Sequence, residues 1–161
     1  MSELNQEILR AAEVKIGSPF RHHYKPNLCQ GGRITINACM EYGMDDTGYD
    51  CSGLVIRSLC DALGISHEEW PMQLRHSYQL NSFASEQSAQ PGDIALIESI
   101  SANGYRYNTH MGIQVGGDTL IHASGKSRIV EHSTPMGVII EKSTLDIKLL
   151  LDTITTQEAR S

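Results

Sequence analysis

The sequence has no excess of basic residues. Its 13 lysines and arginines are outnumbered by 19 aspartates and glutamates, which gives a net charge of −6 with neutral histidines. A nucleic-acid-binding protein needs a basic surface that replaces phosphate counterions, and broad adhesion to an anionic membrane or cell wall needs one as well. The charge therefore argues against nucleic acids and anionic surfaces as partners.

The sequence also lacks a long apolar run. No window approaches the roughly 18 apolar residues of a membrane-spanning helix, so membrane insertion is not expected. The opening segment, MSELNQEILRAAEVKIG, contains early acidic residues and no uncharged apolar stretch, unlike a secretory signal. We therefore expect a protein that is made in the cytoplasm without a signal peptide, and that either acts there or leaves by a route that reads no N-terminal signal.

Cysteines are few and widely spaced. They are Cys29, Cys39, Cys51 and Cys60. No two of them form a close C-x2-C pair, so a structural zinc site is not expected. Without a secretory signal, free thiols are favoured over disulfides. The sequence implies no metal and no other cofactor.

The length and composition predict one globular domain over 1–161. Hydrophobic residues make up 40% of the 161 residues and charged residues 20%, which is ordinary for a soluble domain. Apolar residues recur at helical spacing in the first 16 residues and again over 52–63. A further short helix is expected within 68–82.

The second half of the chain changes to the pattern of strands. Short apolar runs bounded by turn signals predict strands at 94–97, 110–115 and 119–124, and weaker ones at 128–131 and 138–142. Helices followed by an antiparallel sheet are typical of an α+β fold. The polar tail, 157–161, is expected to be frayed.

A cysteine opens the second predicted helix, in the segment YDCSGLV at 49–55. A thiol in this place meets the positive end of the helix dipole and unpaired backbone N–H groups, which stabilise a thiolate. The same N–H groups can hold an oxyanion. A helical cysteine is commonly just buried, and Cys60 fits that interpretation. Cys51 does not fit it, because it lies at the N-terminus of the predicted helix between polar neighbours.

Two histidines lie on neighbouring predicted strands, His110 in HMGIQVG and His122 in LIHAS. A thiolate nucleophile needs an imidazole to carry its proton, and that imidazole needs a third group to hold its tautomer. Direct cross-strand pairing of the two histidines requires an odd-length loop centred on Gly116. A two-residue turn at Gly116-Gly117 would put them on opposite faces. The glycine pair permits the longer or bulged loop, so the required register is available.

Together these segments resemble the NlpC family of papain-like cysteine peptidases. The resemblance rests on DCSGLV (50–55), PGD (91–93), HMGI (110–113) and IHA (121–123), and on GSPF (17–20), which is similar to the Gly-x-Pro-Tyr element of that family. It implies a papain-like α+β fold whose nucleophile begins a helix packed on an antiparallel sheet. It also implies hydrolysis of the peptide stems of bacterial peptidoglycan through a thioacyl intermediate, typically between γ-D-glutamate and a diamino acid.

The resemblance assigns roles to individual residues. Cys51 corresponds to the nucleophile, His110 to the general base and His122 to the polar residue that orients it. Asp50 and Ser52 match positions with which the family binds the free amine of the first alanine of the stem. A carboxylate at such a position can pair with an ammonium group and so favour a substrate without sugar.

The sequence departs from the family in two places. Phe20 stands where the family commonly has tyrosine, so a hydroxyl that would touch the substrate is missing, and Tyr24 or Tyr49 is the candidate replacement. The segment 18–49 is longer than is usual and contains an insert. This insert either walls the cleft or forms a surface loop.

Two other functions stay open on the sequence. A related thiol enzyme, such as an N-acetylmuramoyl-L-alanine amidase or an acyltransferase, would use the same residues on another bond. A catalytically silent module of a phage tail or secretion apparatus would keep the fold without the reaction. An active enzyme would reach its substrate on a phage tail, as a secreted toxin with an immunity protein as partner, or in the cytoplasm.

Overall fold

A computed structural model of the chain describes residues 2–21, 44–45, 48–71, 74, 80, 82–85, 90–100, 106–134 and 139–160. The helices within these residues are α1 (Glu3–Glu13), α2 (Cys51–Leu63) and α3 (Ile147–Arg160), with a 3-10 turn at His67–Glu69. The strands are β1 (Met44–Asp45), β2 (Gly48–Tyr49), β3 (Ala84–Ser85), β4 (Ile94–Ile100), β5 (Arg106–Gly116), β6 (Thr119–Ala123), β7 (Val130–Ser133) and β8 (Ile139–Leu145).

Six of these strands form one antiparallel sheet. Its order is β3-β8-β4-β5-β6-β7, so β4 to β7 are neighbours in sequence and in space. The short strands β1 and β2 pair with each other. Because helices precede an antiparallel sheet, the predicted α+β class is confirmed.

The five strands predicted from the sequence are all present, with different ends. The strands β4 and β5 are longer than predicted, and β7 and β8 are shifted towards the C-terminus. Within 68–82, the only helical geometry among the described residues is 3-10, in the turn that ends at Glu69 and at 74, 80 and 82. The other residues of that expected helix lie outside the described ones.

The C-terminal helix α3 is not predicted by the sequence pattern. Its central residues, DTITT at 152–156, include β-branched side chains, which have lower helix propensity than straight-chain residues. Packing outweighs this preference, because Leu150 and Ile154 of α3 are buried in the core. The helix continues to Arg160 and so includes most of the tail that was expected to be frayed.

The helix α2 lies at the centre of the fold. It packs against α1 on one side and against β5 and β6 on another. Its buried residues lie on several sides of the helix: Ser52, Gly53, Leu54, Val55, Ile56, Ser58, Leu59 and Cys60. A helix that is buried nearly all round has little freedom to shift. No described helix is both long and apolar enough to cross a membrane.

An extended segment, 17–21, joins the sheet to the start of α2, and we call it the strap. On one side it makes main-chain hydrogen bonds of 2.8 Å each: Gly17 N–H to Val130 O, Val130 N–H to Ser18 O and Phe20 N–H to Arg128 O. On the other side it bonds β2: Tyr49 N–H to Pro19 O at 3.0 Å and Arg21 N–H to Tyr49 O at 2.9 Å. The strap therefore holds β2, and the helix start that follows it, beside β7.

Gly48 allows β2 to approach the strap. Its φ of 154° lies in a region that residues with a side chain rarely adopt. A Cβ atom at this position would lie 2.8 Å from the carbonyl oxygen of Pro19 and 2.9 Å from Cβ of Arg21. Any larger residue would have to push the strap away.

We predict that Gly48→Ala lowers the free energy of unfolding by about 2–4 kcal/mol, because backbone strain adds to the steric clash. Gly117→Ala is the control, since Gly117 also has a positive φ of 58° but has nothing within 4 Å of its Cβ position. Urea denaturation measures both variants. An equal loss of stability in the two would show that the contact with the strap contributes nothing.

Candidate active site

The helix α2 begins at Cys51, the position that the sequence predicted. Asp50 is its N-cap: the backbone is extended and the carboxylate Oδ1 accepts the N–H of Gly53 at 2.6 Å. An N-cap of this kind fixes where the first turn begins. Cys51 is a reduced cysteine and partly exposed, so a thiol lies at the positive end of a well-anchored helix.

Asp50 and Ser52, the predicted amine-binding residues, flank this cysteine. Both are buried, with 3% and 1% of their surface exposed. The Ser52 hydroxyl lies 3.5 Å from Asp50 Oδ1, the same oxygen that caps the helix. Asp50 thus has a structural role that its place before the helix could have indicated. Binding of a substrate amine by either residue stays a prediction.

The aromatic residues considered for substrate contact are placed differently. Tyr49 is only 5% exposed and belongs to the hydrophobic core. Phe20 is half-buried, and the Arg128 guanidinium lies 5.0 Å from the centre of its ring, a cation–π distance. Tyr24 and most of the insert within 18–49 lie outside the described residues, so their predicted roles are not tested.

The structure brings His110 and His122 into direct contact. Nε2 of His110 lies 2.7 Å from Nδ1 of His122, and the two rings meet edge to face with centroids 4.9 Å apart. The other ring nitrogen of His122, Nε2, lies 2.7 Å from Oγ of Ser133 on β7. Three polar side chains from three adjacent strands therefore form one hydrogen-bonded chain.

The register that brings the histidines together is not the one expected. Gly116 pairs with Thr119 across a turn at Gly117-Asp118, and a bulge follows, so that Ile113 pairs with Ile121. Both predicted connections, the loop centred on Gly116 and the turn at Gly116-Gly117, are therefore wrong. Continuing the observed register puts Gly112 opposite His122, and His110 diagonally across from it.

Gly112 allows β5 and β6 to pack closely beside the histidines. A Cβ atom at Gly112 would lie 3.0 Å from Cδ1 of Leu120 and 3.1 Å from the carbonyl oxygen of Ile121, which is tighter than ordinary packing. Diagonal neighbours in an antiparallel pair are further apart than direct ones, although long side chains still reach each other. The absent side chain at Gly112 lets β5 pack closely against Leu120 and Ile121 of β6.

The hydrogen-bonded chain restricts the chemistry of His110. A neutral imidazole donates from one nitrogen and accepts at the other. Since Nε2 of His110 is bonded to His122, Nδ1 is the nitrogen that can take a proton from a thiol. It can do so only when Nε2 carries the hydrogen and donates it to Nδ1 of His122.

Burial disfavours a charge on either histidine. It lowers the pKa of His110 to about 4, and the neighbouring His122 lowers it further in the same direction. Burial also lowers the pKa of His122, which the carboxylate of Glu131 partly opposes. At neutral pH both rings are therefore uncharged, the state in which His110 can act as a base.

The second described cysteine has the opposite character to Cys51. Cys60 is a free thiol with no exposed surface. Burial, and then the charge of Asp61, raise its pKa to about 12, against the smaller effects of Arg57 and Lys15. It is structural, as the sequence indicated. Among the described residues no group of three or more histidines, cysteines or carboxylates is arranged to hold a metal.

Comparisons with known proteins match the fold to a known family. The model of the NlpC/P60 family matches residues 39–148. No curated protein matches the sequence. Among solved structures, the fold is similar to the P60 domain of an antigen of Mycobacterium avium subspecies paratuberculosis, with a TM-score of 0.55 and 19% identity over 90% of this chain and 96% of that one.

Two longer chains contain a similar fold. One is a Staphylococcus aureus protein described as similar to a lipoprotein of the NLP/P60 family (TM-score 0.57, 24% identity, 90% of this chain and 42% of that one). The other is the peptidoglycan hydrolase RipB of Mycobacterium tuberculosis (TM-score 0.53, 19% identity, 89% of this chain and 65% of that one). This chain thus spans less than half of the first protein and under two thirds of the second. The likenesses confirm the NlpC-type, papain-like fold.

We predict that the protein loses stability as the pH falls from about 6.5 to about 4. In this range the unfolded chain protonates a histidine that stays neutral in the folded state, because the pKa of folded His110 is about 4. Urea denaturation of the native protein and of His110→Gln across this range measures the contribution of His110. We expect the native protein to lose on the order of 2–3 kcal/mol in the free energy of unfolding that the variant does not lose. The same pH dependence in both proteins would contradict the burial of His110.

We predict that Cys60 resists alkylation in the native protein at pH 8. Its buried thiol with a pKa of about 12 supplies almost no thiolate. Iodoacetamide treatment and peptide mapping, with and without urea, measure this. Native modification of Cys60 at the rate seen in urea would show that α2 is not packed as described.

Proposed function

Because the chain belongs to the NlpC/P60 family, we propose that it is a cysteine peptidase that hydrolyses amide bonds in the peptide stems of bacterial peptidoglycan. The observation that carries the proposal is the contact between His110 and His122, which lie in adjacent strands packed on the helix that Cys51 begins. RipB, a structural neighbour, is itself a peptidoglycan hydrolase. Cys51, His110 and His122 then form the catalytic triad.

Cys51 is the nucleophile in this proposal. Its sulfur attacks the carbonyl carbon of the scissile amide while Nδ1 of His110 takes the thiol proton. Backbone N–H groups at the start of α2 stabilise the oxyanion, each donor contributing roughly 2.7–4 kcal/mol as in other acyl-transfer sites. His110 then gives its proton to the leaving amine, and a thioester forms between Cys51 and the acyl half of the substrate.

Hydrolysis of the thioester completes the cycle. His110 takes a proton from water as the water oxygen attacks the thioester carbonyl. The carbon–sulfur bond then breaks, the carboxylic acid product leaves, and His110 returns the proton to the sulfur of Cys51. Burial opposes a charged His110. The negative sulfur or oxyanion formed in each step offsets that cost, so the charged imidazole exists only while an anion is beside it.

We assign the scissile bond to γ-D-glutamyl-diamino acid, with Asp50 and Ser52 beside the free amine of the stem. The position of the two residues supports this assignment, because both flank Cys51. The buried Asp50 carboxylate accepts the Gly53 N–H and can also accept a hydrogen bond from an ammonium group. A substrate whose amine is blocked by the sugar would offer no ammonium group to this carboxylate. The enzyme would therefore prefer stems without sugar.

We predict that the protein cleaves purified stem peptides after D-glutamate, and cleaves sugar-free stems faster than sugar-linked ones. Mass spectrometry of the products tests this with the native protein, Cys51→Ala and His110→Gln. We expect both variants to lose at least about a thousandfold in rate, because nucleophile and base act as a unit. His132→Gln, at an exposed histidine of β7, is the matched control and keeps its activity.

The products distinguish the competing functions. Release of the whole stem from the sugar would identify an amidase and overturn the endopeptidase assignment. Consumption of an added amine acceptor without hydrolysis would identify an acyltransferase. Intact peptides and intact glycan in every sample would overturn the proposed enzyme and leave a structural module.

A further inference from the structure

The third member of the hydrogen-bonded chain, Ser133, has no role in the function proposed above. We propose that Ser133 is a positioning residue: it accepts the Nε2–H of His122 and so holds His122 in the tautomer whose Nδ1 accepts from His110. The effect on turnover rests on the proposed function, whereas the effect on the tautomer does not.

The strand register places Ser133 on the same face as His122. In the pairing of β6 with β7, Leu120 lies opposite Ser133 and His122 opposite Glu131, so Ser133 is the diagonal neighbour of His122. Its Oγ lies 2.7 Å from Nε2 of His122, a short hydrogen bond. This is the same diagonal geometry that joins His122 to His110 on the other side.

His122 depends on this partner because it is almost fully enclosed. Only 3% of its surface is exposed, and both of its ring nitrogens are engaged by protein groups. A buried N–H without an acceptor is costly, and more so than an acceptor without a donor. Loss of the Ser133 hydroxyl therefore penalises the Nε2–H tautomer in particular.

That tautomer is the one required once His110 accepts a proton. A charged imidazole donates from both nitrogens, so Nε2 of His110 must then donate and Nδ1 of His122 must accept. His122 then carries its hydrogen on Nε2 and needs an acceptor there, and the Ser133 oxygen supplies it. With the hydrogen on Nδ1 of His122 instead, two N–H groups would face each other at 2.7 Å.

The charged and titratable groups facing His122 do not replace this acceptor. His110 of β5 faces its Nδ1, and Glu131 lies opposite on β7 and favours the protonated ring. A proton held on both nitrogens of His122 would prevent it from accepting from His110. A neutral oxygen at Ser133 stabilises the donor without adding the negative charge that would protonate the ring.

Nitrogen-detected NMR of the histidine rings at pH 7 tests the tautomer directly. We expect His122 to carry its hydrogen on Nε2 in the native protein and in Ser133→Thr, which keeps the hydroxyl. In Ser133→Ala the hydrogen should be shared between the two nitrogens or move to Nδ1. Thr134→Val, which removes the hydroxyl of the exposed next residue, is the control and should leave the tautomer as it is. An unchanged tautomer in Ser133→Ala overturns the proposal.

Kinetics give the second readout. In Ser133→Ala we expect kcat to fall roughly ten- to hundredfold with little change in KM, while Ser133→Thr recovers most of the rate. If Ser133→Ala does not fold, Ser133→Cys replaces it, because its side chain is of similar size and its sulfur is a weak acceptor. We expect its kcat to fall as well. Equal rates in the native protein and a folded variant that lacks the hydroxyl overturn the role in turnover.

The two proposals fail in different ways. A native protein without peptidase activity whose His122 tautomer still depends on the Ser133 hydroxyl overturns the enzyme and supports the positioning role. An active native protein whose tautomer ignores Ser133 overturns the positioning role and supports the enzyme.

Discussion

The candidate site depends on one hydrogen bond, between Nε2 of His110 and Nδ1 of His122. It exists because a bulge at the end of the β5–β6 hairpin sets a register in which the two histidines share a face as diagonal neighbours. A shift of that register by one residue would send one ring to the other face of the sheet. The bond also decides which nitrogen of His110 is able to exchange a proton with a thiol.

Burial then sets the protonation state of three side chains, His110, His122 and Cys60. Both histidines are held neutral, and the thiol of Cys60 is held protonated inside α2. Cys51 differs because it begins the same helix, where it is partly exposed and lies at the positive end of the helix dipole. One helix thus carries an inert cysteine in its interior and a cysteine suited to reaction at its end.

Much of the fold followed from local patterns, because helical and strand spacing report directly on α2 and on β4 to β6. The helix α3 did not, since packing of Leu150 and Ile154 on the core outweighs its β-branched residues. The position of the bulge was not predictable, because Gly116 and Gly117 both permit the backbone geometry of a turn and the sequence does not say which of them the turn includes. Ser133 was missed because only the β6–β7 register connects it to His122, and no short motif contains both residues.

The most direct test of the central claim, that Cys51 and His110 exchange a proton, is the rate of Cys51 alkylation as a function of pH. Peptide mapping follows Cys51 in the native protein, in His110→Gln and in the control His132→Gln. We expect alkylation of the native protein and the control to persist well below the ordinary thiol pKa of about 8.5, and to follow that ordinary pKa more closely in His110→Gln. Identical profiles in all three proteins would contradict the account.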